Sequence, residues 1–312
     1  MIDVAAKARE SGADLILTLG GGSVMDCGQL VRLCLEQDVR RTEQLDDFRA
    51  VVRRDGTRHV PQFRGPSTPQ IAVATTLSAA EFNPILGCTD VDRGVKDLFT
   101  HPGLAAQVII LDPEVCRTTP QRLWLSSGIR AVDHCIETLA APLCDDYSAG
   151  PALHGLKLLA RSLPATKADP GDLAARHDSL MGAWLAADHT MAAIPMGASH
   201  GVGHMLGGAL GMAHGDTSCV MLPATLAYNL DWTRDAQALV SATMGRPGEP
   251  AAGVVREFVQ GLGLPTRLSE LGVGREVFPS IAAAAMESHY LYNNPRPIRS
   301  EAQVMELLEL AL

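Results

Sequence analysis

The chain is poor in aromatic residues: three Trp, four Tyr and six Phe among 312 residues. Its core must be filled by Ala, Leu, Val and Gly, which favours close-packed helices over an aromatic-rich β-sandwich. Basic residues are in deficit as well. The 26 Lys and Arg against 35 Asp and Glu leave a formal charge of −9, a surface that repels phosphate backbones and argues against nucleic-acid binding. There is no run of about 18 apolar residues, so no membrane span is expected. The seven cysteines (Cys27, Cys34, Cys88, Cys116, Cys135, Cys144, Cys219) contain no CxxC pair and are odd in number. They read as reduced, mostly buried thiols rather than a disulfide frame or zinc ribbon. The opening MIDVAAKARESGADL lacks the basic start and apolar middle of a secretory leader. These absences describe a soluble, intracellular protein, expected in the cytoplasm.

What is present is an ordinary globular composition, 46% hydrophobic, in a chain long enough for roughly two domains. Residues 2–12 read as a helix. Asp14–Leu19 (DLILTL) reads as a buried parallel strand that runs into Gly20-Gly21-Gly22-Ser23, with a helix over Val24–Glu36 behind it. Residues 40–70 are charged and carry Pro61, Pro66 and Pro69, the mark of a loop or insertion. Ile71–Thr75 and Val108–Asp112 are further strands. Beyond Thr118 helical periodicity takes over, at 120–140, 147–162, 172–194, 199–210, 218–230, 235–244, 250–262, 276–289 and 300–311. The reading is therefore an α/β part, residues 1–118, with a partial nucleotide-binding parallel sheet, and an all-helical part, residues 119–312. Three parallel strands make a small sheet, and the chain opens on a helix where such a sheet opens on a strand; the first βαβ part of the domain is expected to be absent.

Chemistry concentrates in Ser199–Asp216, SHGVGHMLGGALGMAHGD. His200 and His204 are four apart and share a helix face, and His214 follows beyond a Gly-rich run. Two imidazoles on one face and a third across a turn suit a metal or acid–base pocket; the bland alternative is three unrelated, hydrogen-bonded histidines. In the turn GGGSVMD, glycines after a strand let the backbone approach a pyrophosphate, and the helix amides behind it point at the anion. Ser23 can cap that helix or donate to phosphate. The alternative is merely a tight strand-to-helix turn. At the next strand end Thr75, Thr76 and Ser78 offer hydroxyls, whereas Ser78 and Glu81 alternatively form a capping box. In GIRAVDHCIE, Arg130 and His134 share a face, with Asp133 and Glu137 beside them; the bland reading is an exposed, salt-bridged helix. Asn293-Asn294-Pro295-Arg296-Pro297 reads as a structural turn.

In this order and spacing, GGGSVMD, ATTLSAAE, GIRAVDHCIE, SHGVGHMLGG…AHG and NNPRP resemble the iron-dependent (group III) alcohol dehydrogenase and maleylacetate reductase family across nearly the whole chain. The resemblance implies a dehydroquinate-synthase-like fold, an oxidoreductase acting on a carbonyl or CH–OH group, and NAD or NADP as cofactor. It implies that Gly21, Gly22 and Ser23 hold the pyrophosphate, that Thr75, Thr76 and Ser78 line the phosphate and nicotinamide-ribose side, and that Lys96 lies near the cofactor. His134, His200 and His214 match metal-ligand positions for Fe or Zn, and His204 matches a non-ligand histidine, a proton donor or relay. The chain departs from the pattern in three places. Arg130 stands where the family has its fourth ligand, an aspartate; Gln29 replaces a lysine near the cofactor; and at least one leading βαβ unit is expected to be missing, so that the chain is N-terminally truncated. A guanidinium cannot ligate a cation. The expectation is thus a metal-free reductase of an oxo acid such as maleylacetate, with Arg130 and His204 catalytic. The alternatives are a metal-dependent alcohol dehydrogenase and a non-catalytic truncated remnant. A homodimer is expected.

Overall fold

A computed structural model describes residues 1–52, 57–90, 93, 95–188 and 193–312, without the side chains of residues 52, 58, 95 and 96. The chain divides into two compact units, the described residues up to Cys116 and Arg117–Leu312, and each is described by itself.

In the first unit, helix α1 (Ile2–Glu10) precedes strand β1 (Ile16–Gly20) and helix α2 (Gly22–Glu36). Short strands β2 (Val51–Val52) and β3 (Arg58–His59) pair antiparallel within the proline-containing insertion. Strand β4 (Gln70–Ala74) lies between β1 and β7 (Val108–Ile110), parallel to both. The apolar runs read as buried strands therefore pair as a three-stranded parallel sheet. On one face Thr18, Ala72 and Ala74 are buried. On the other, the register aligns Leu17, Ile71 and Val108 in one row and Leu19, Val73 and Ile110 in the next. Leu17 (64% exposed), Leu19 (58%), Val108 (48%) and Ile110 (43%) on that face stand in solvent. The core lies on the covered side, where Leu30, Leu33 and Cys34 of α2 pack with Leu86, Phe99 and Leu104. Strands β5 (Ile85–Asp90) and β6 (Val95–Thr100) form an antiparallel pair that the sequence pattern did not reveal. Their alternation is blurred by Gly87, Cys88, Lys96 and Asp97, so neither period dominates.

The second unit is helical, as its periodicity predicts. Helices α4 (Gln121–Ala140), α5 (Asp146–Ala168) and α6 (Leu173–Ala186) pack together. The cap of α5 is Asp145, whose carboxylate accepts from the Ser148 amide, and that of α6 is Asp172, which accepts from Ala175. Helices α7 (Ala198–Leu210) and α8 (His214–Asn229) follow, then α9 (Arg234–Thr243), α10 (Ala251–Gly261), α11 (Phe278–Ala285) and α12 (Glu301–Ala311). The core joins Val202 and Leu206 of α7, Val220 and Met221 of α8, and Ile281 and Leu307. The short helix α3 (Pro113–Cys116) closes the first unit. No helix among the described residues is long and apolar enough to cross a membrane. All seven cysteines are free thiols.

Candidate active site

Two groups of residues carry the chemistry, one in each unit. In the first, the turn between β1 and α2 packs on the turn after β4. A Cβ built on Gly21 would lie 2.9 Å from Thr76 Cγ2, and one on Gly22 3.0 Å from Ser78 Oγ. Without a Cβ, Gly21 and Gly22 let the Thr76 and Ser78 side chains close onto the turn, which brings these four residues together. The Thr75 amide donates to the Gly20 carbonyl at 2.9 Å, which extends the β1–β4 pairing to the strand ends. Ser23 lies exposed in the first turn of α2, beyond its N-cap Gly21. The capping box expected at Ser78 and Glu81 does not form. Ala79 takes a left-handed conformation (φ 57°), and Glu81 turns inward and is buried within the 3-10 turn Ala80–Phe82. Gln29 is buried and donates from Nε2 to the Asn83 carbonyl at 3.0 Å, so an amide stitches α2 to this turn. Lys96, in β6, is the backbone partner of Thr89 in β5, but its side chain lies outside what the structure describes.

In the helical unit three helices converge. Helix α4 presents Arg130, Asp133, His134 and Glu137 on neighbouring turns of one side. Helix α7 presents Ser199, His200 and His204; α8 begins at His214 and carries Ser218. The helices can approach because a Cβ at Gly215 would meet the Ser126 carbonyl carbon and oxygen at 2.6 Å. The four imidazoles form a continuous run: ring centroids are 4.9 Å apart for His134 and His200, 6.1 Å for His200 and His204, and 5.3 Å for His204 and His214. Tyr290 stands edge-on to His204 at 5.3 Å.

The helix carrying Arg130 is not the exposed, salt-bridged helix of the bland reading. Asp133 and Glu137 are buried, and Arg130 is 12% exposed at its side chain. Arg130 Nη2 lies 3.1 Å from His204 Nε2, and its Nη1 donates to Ser218 Oγ at 3.2 Å. A guanidinium has only donors, so His204 Nε2 accepts and the ring proton sits on Nδ1. Glu137 accepts from the Gly197 amide at 3.0 Å and the Ser199 amide at 2.9 Å, and its Oε2 is 2.7 Å from His200 Nδ1. The intervening Ala198 amide donates to Asn294 Oδ1 at 3.2 Å, and Asn294 is itself held by Asn229. The NNPRP turn thus secures the start of the helix that bears His200 and His204. Asp133 Oδ2 accepts from Ser199 Oγ at 2.9 Å and Ser218 Oγ at 2.7 Å; its Oδ1 has no hydrogen-bond partner among the described residues. Burial pushes Asp133 and Glu137 well above the usual carboxylate range, and repulsion from Glu137 raises Asp133 further. Burial lowers Arg130, and Asp133, Tyr290 and Glu137 oppose that shift.

Residues 1–113 match the iron-containing alcohol dehydrogenase model, and residues 124–312 match the C-terminal model of the Fe-containing alcohol dehydrogenase family. The chain belongs to the iron-containing alcohol dehydrogenase family. It is an oxidoreductase of that family, with its dehydroquinate-synthase-like fold. It is 33% identical to the dehydrogenase FUM7 of Gibberella moniliformis, a match over 97% of this chain and 78% of that one. It is 32% identical to a maleylacetate reductase of a Rhizobium species, over 97% of this chain and 75% of that one. Among solved structures, maleylacetate reductase from Rhizobium superposes with a TM-score of 0.80 at 30% identity, covering 99% of this chain and 77% of that one. A 1,3-propanediol oxidoreductase superposes at 0.88 with 26% identity, covering 99% and 80%.

The family's name implies an iron ion. Among the described residues, the donors that lie within 4.8 Å of one another are Asp133, Glu137 and His200, all buried, a group able in principle to hold a cation. His134 and His214, expected with His200, do not belong to that group. Both Glu137 oxygens and Asp133 Oδ2 already accept hydrogen bonds, and Arg130 Nη1 lies 3.9 Å from Asp133 Oδ2. A permanent guanidinium charge at that distance repels a dication. The Arg130 charge thus opposes a cation at this trio, while the donor set itself is of a kind that binds one. For a nicotinamide dinucleotide, the donors at the glycine turn are the backbone amides that begin α2 and the Ser23, Thr76 and Ser78 hydroxyls, a set whose chemistry suits phosphate.

Proposed function

We propose that this protein is an NAD(P)H-dependent reductase of an oxo acid that works without a metal ion. The observation that carries the reading is Arg130, a nearly buried guanidinium in contact with His204 inside the imidazole cluster. Gly21, Gly22, Ser23, Thr75, Thr76 and Ser78 would hold the dinucleotide phosphates and ribose, with Lys96 near them. When bound, the cofactor supplies the hydride that reduces the carbonyl carbon of the substrate. Arg130 has five N–H donors in a planar fork, which suits a substrate carboxylate or the oxygen that gains negative charge as the carbonyl is reduced. Neutral His204 donates a hydrogen bond from Nδ1–H to that oxygen and relays to it a proton taken up from solvent, so that one hydride and one proton convert C=O to CH–OH and the imidazole ends neutral. The reading includes a homodimer in the cytoplasm, as the family resemblance implies.

Arg130→Ala tests it. The expected loss is about 10²–10³-fold in kcat/KM for an oxo acid, with KM raised and kcat lowered. Constants within twofold of wild type would overturn the role of Arg130. The buried trio Asp133, Glu137 and His200 supports a second, metal-assisted reading. One equivalent of bound iron or zinc in purified protein, with activity lost to a chelator, would favour it. A chain that binds neither NADH nor NADPH would be a non-catalytic remnant.

A further inference from the structure

Arg130 is long and flexible, and holding it in one orientation costs about 2 kcal/mol of rotamer freedom. The structure holds it beside a carboxylate but without a direct hydrogen bond to one. Asp133 Oδ2, at 3.9 Å from Nη1, is too far to accept a hydrogen bond from the guanidinium. Ser218 stands between them. Its hydroxyl donates to Asp133 Oδ2 at 2.7 Å, which turns the Ser218 lone pairs toward Arg130, and Oγ accepts from Nη1 at 3.2 Å. A hydroxyl already donating to a carboxylate is polarised and accepts more strongly. The second anchor is His204 Nε2, on Nη2. These anchors occupy one hydrogen on each terminal nitrogen. Among the described residues no carboxylate takes up the rest of the fork in a bidentate pair, which is the contact that would compete with a substrate anion.

We propose that Ser218 and Asp133 are positioning residues that aim Arg130 through a hydroxyl bridge and so set the preference of this site for a carboxylate-bearing ligand. The inference rests on the reading of Arg130 given above. Three helices contribute: α4 the arginine and the aspartate, α8 the serine, and α7 both His204 and Ser199. The Ser199 hydroxyl, also on Asp133 Oδ2 at 2.9 Å, fixes the carboxylate from its other side.

The test is titration of maleate, with its neutral diamide as control, into wild type, Ser218→Ala and Arg130→Ala, followed by calorimetry in the presence of NADH. Wild type is expected to bind the dianion in preference to the diamide. Ser218→Ala should weaken maleate at least fivefold and leave the diamide unchanged. Arg130→Ala should abolish the preference. If Ser218→Ala keeps the preference within twofold while Arg130→Ala removes it, the bridge does not position Arg130. Equal weakening of both ligands by Ser218→Ala would show a purely structural role and overturn the proposal as well. If wild type shows no preference, or Arg130→Ala retains it, the underlying reading of Arg130 fails, and the bridge has no such function. Should Ser218→Ala not fold, Ser218→Cys, which keeps the bulk and weakens the acceptor, is read in the same way.

Discussion

Glu81 gives the helical turn after β4 a pH dependence that can be worked out from burial alone. Its carboxyl is buried in the 3-10 turn Ala80–Phe82. No cation pairs with it among the described residues, and the only relief comes from its own backbone amide, so burial pushes it up to about 7 from an ordinary 4.5. The folded state therefore binds this proton more tightly than the unfolded chain does. The sign follows: the stabilisation is fully present below pH 4.5 and is lost as the pH rises through 7. At 1.36 kcal/mol per pH unit the whole effect is about 3 kcal/mol, of which about 2.5 kcal/mol falls between pH 5 and pH 8. The perturbation is Glu81→Gln, which keeps the shape and removes the titration. All three tryptophans, Trp124, Trp184 and Trp232, lie beyond Cys116, so their fluorescence reports the helical unit. The first unit is better followed by amide hydrogen exchange at β1 and β4 in the full chain. Wild type should lose about 2.5 kcal/mol of opening free energy from pH 5 to pH 8 relative to Glu81→Gln. Parallel pH profiles for the two proteins would refute the burial argument.

Other consequences concern the helical unit. Gly215→Ala would press a methyl group against the Ser126 backbone, 2.6 Å away where neither side can rotate clear. A loss of about 3 kcal/mol in urea unfolding is expected, and one below about 1 kcal/mol would mean that α8 can slide off α4 cheaply. Glu137→Ala leaves the buried amides of Gly197 and Ser199 without acceptors and His200 without its carboxylate. It should cost about 2–5 kcal/mol in tryptophan-monitored unfolding; an unchanged midpoint would show that water replaces the carboxylate.

Much of this was readable from residues alone. The strands at 16–20, 70–74 and 108–110 were legible because strands of a parallel sheet show as apolar runs bounded by turn residues. The helices of the second unit were legible within a few residues at most ends, although 172–194 stops as a described helix at Ala186 and 276–289 shortens to Phe278–Ala285. The β5–β6 pair was not legible, since polar residues fall on both of its faces. His200 and His204 could be found by their four-residue spacing. Ser199, Ser218 and Tyr290 could not, because nothing local marks a hydroxyl that will meet a carboxylate 66 or 85 residues away, or a ring that will meet an imidazole. The alternative reading of Ser78 and Glu81 as a capping box rested on their three-residue spacing, whereas burial of the turn decided the orientation of Glu81.

By itself the sequence determined the succession of elements, the glycine turn after β1, the arginine in place of an aspartate, and the family to which those motifs belong. Such features are periodic or local, and composition over a few residues suffices to specify them. Only the tertiary structure decided that Asp133 and Glu137 are buried, that Asn294 and Glu137 secure the start of α7, and that Arg130 reaches the Asp133 carboxylate through the Ser218 hydroxyl and not by a direct hydrogen bond. Each of these depends on side chains brought together by the packing of α4, α7 and α8. That packing is non-directional along the chain and leaves no periodic trace in it.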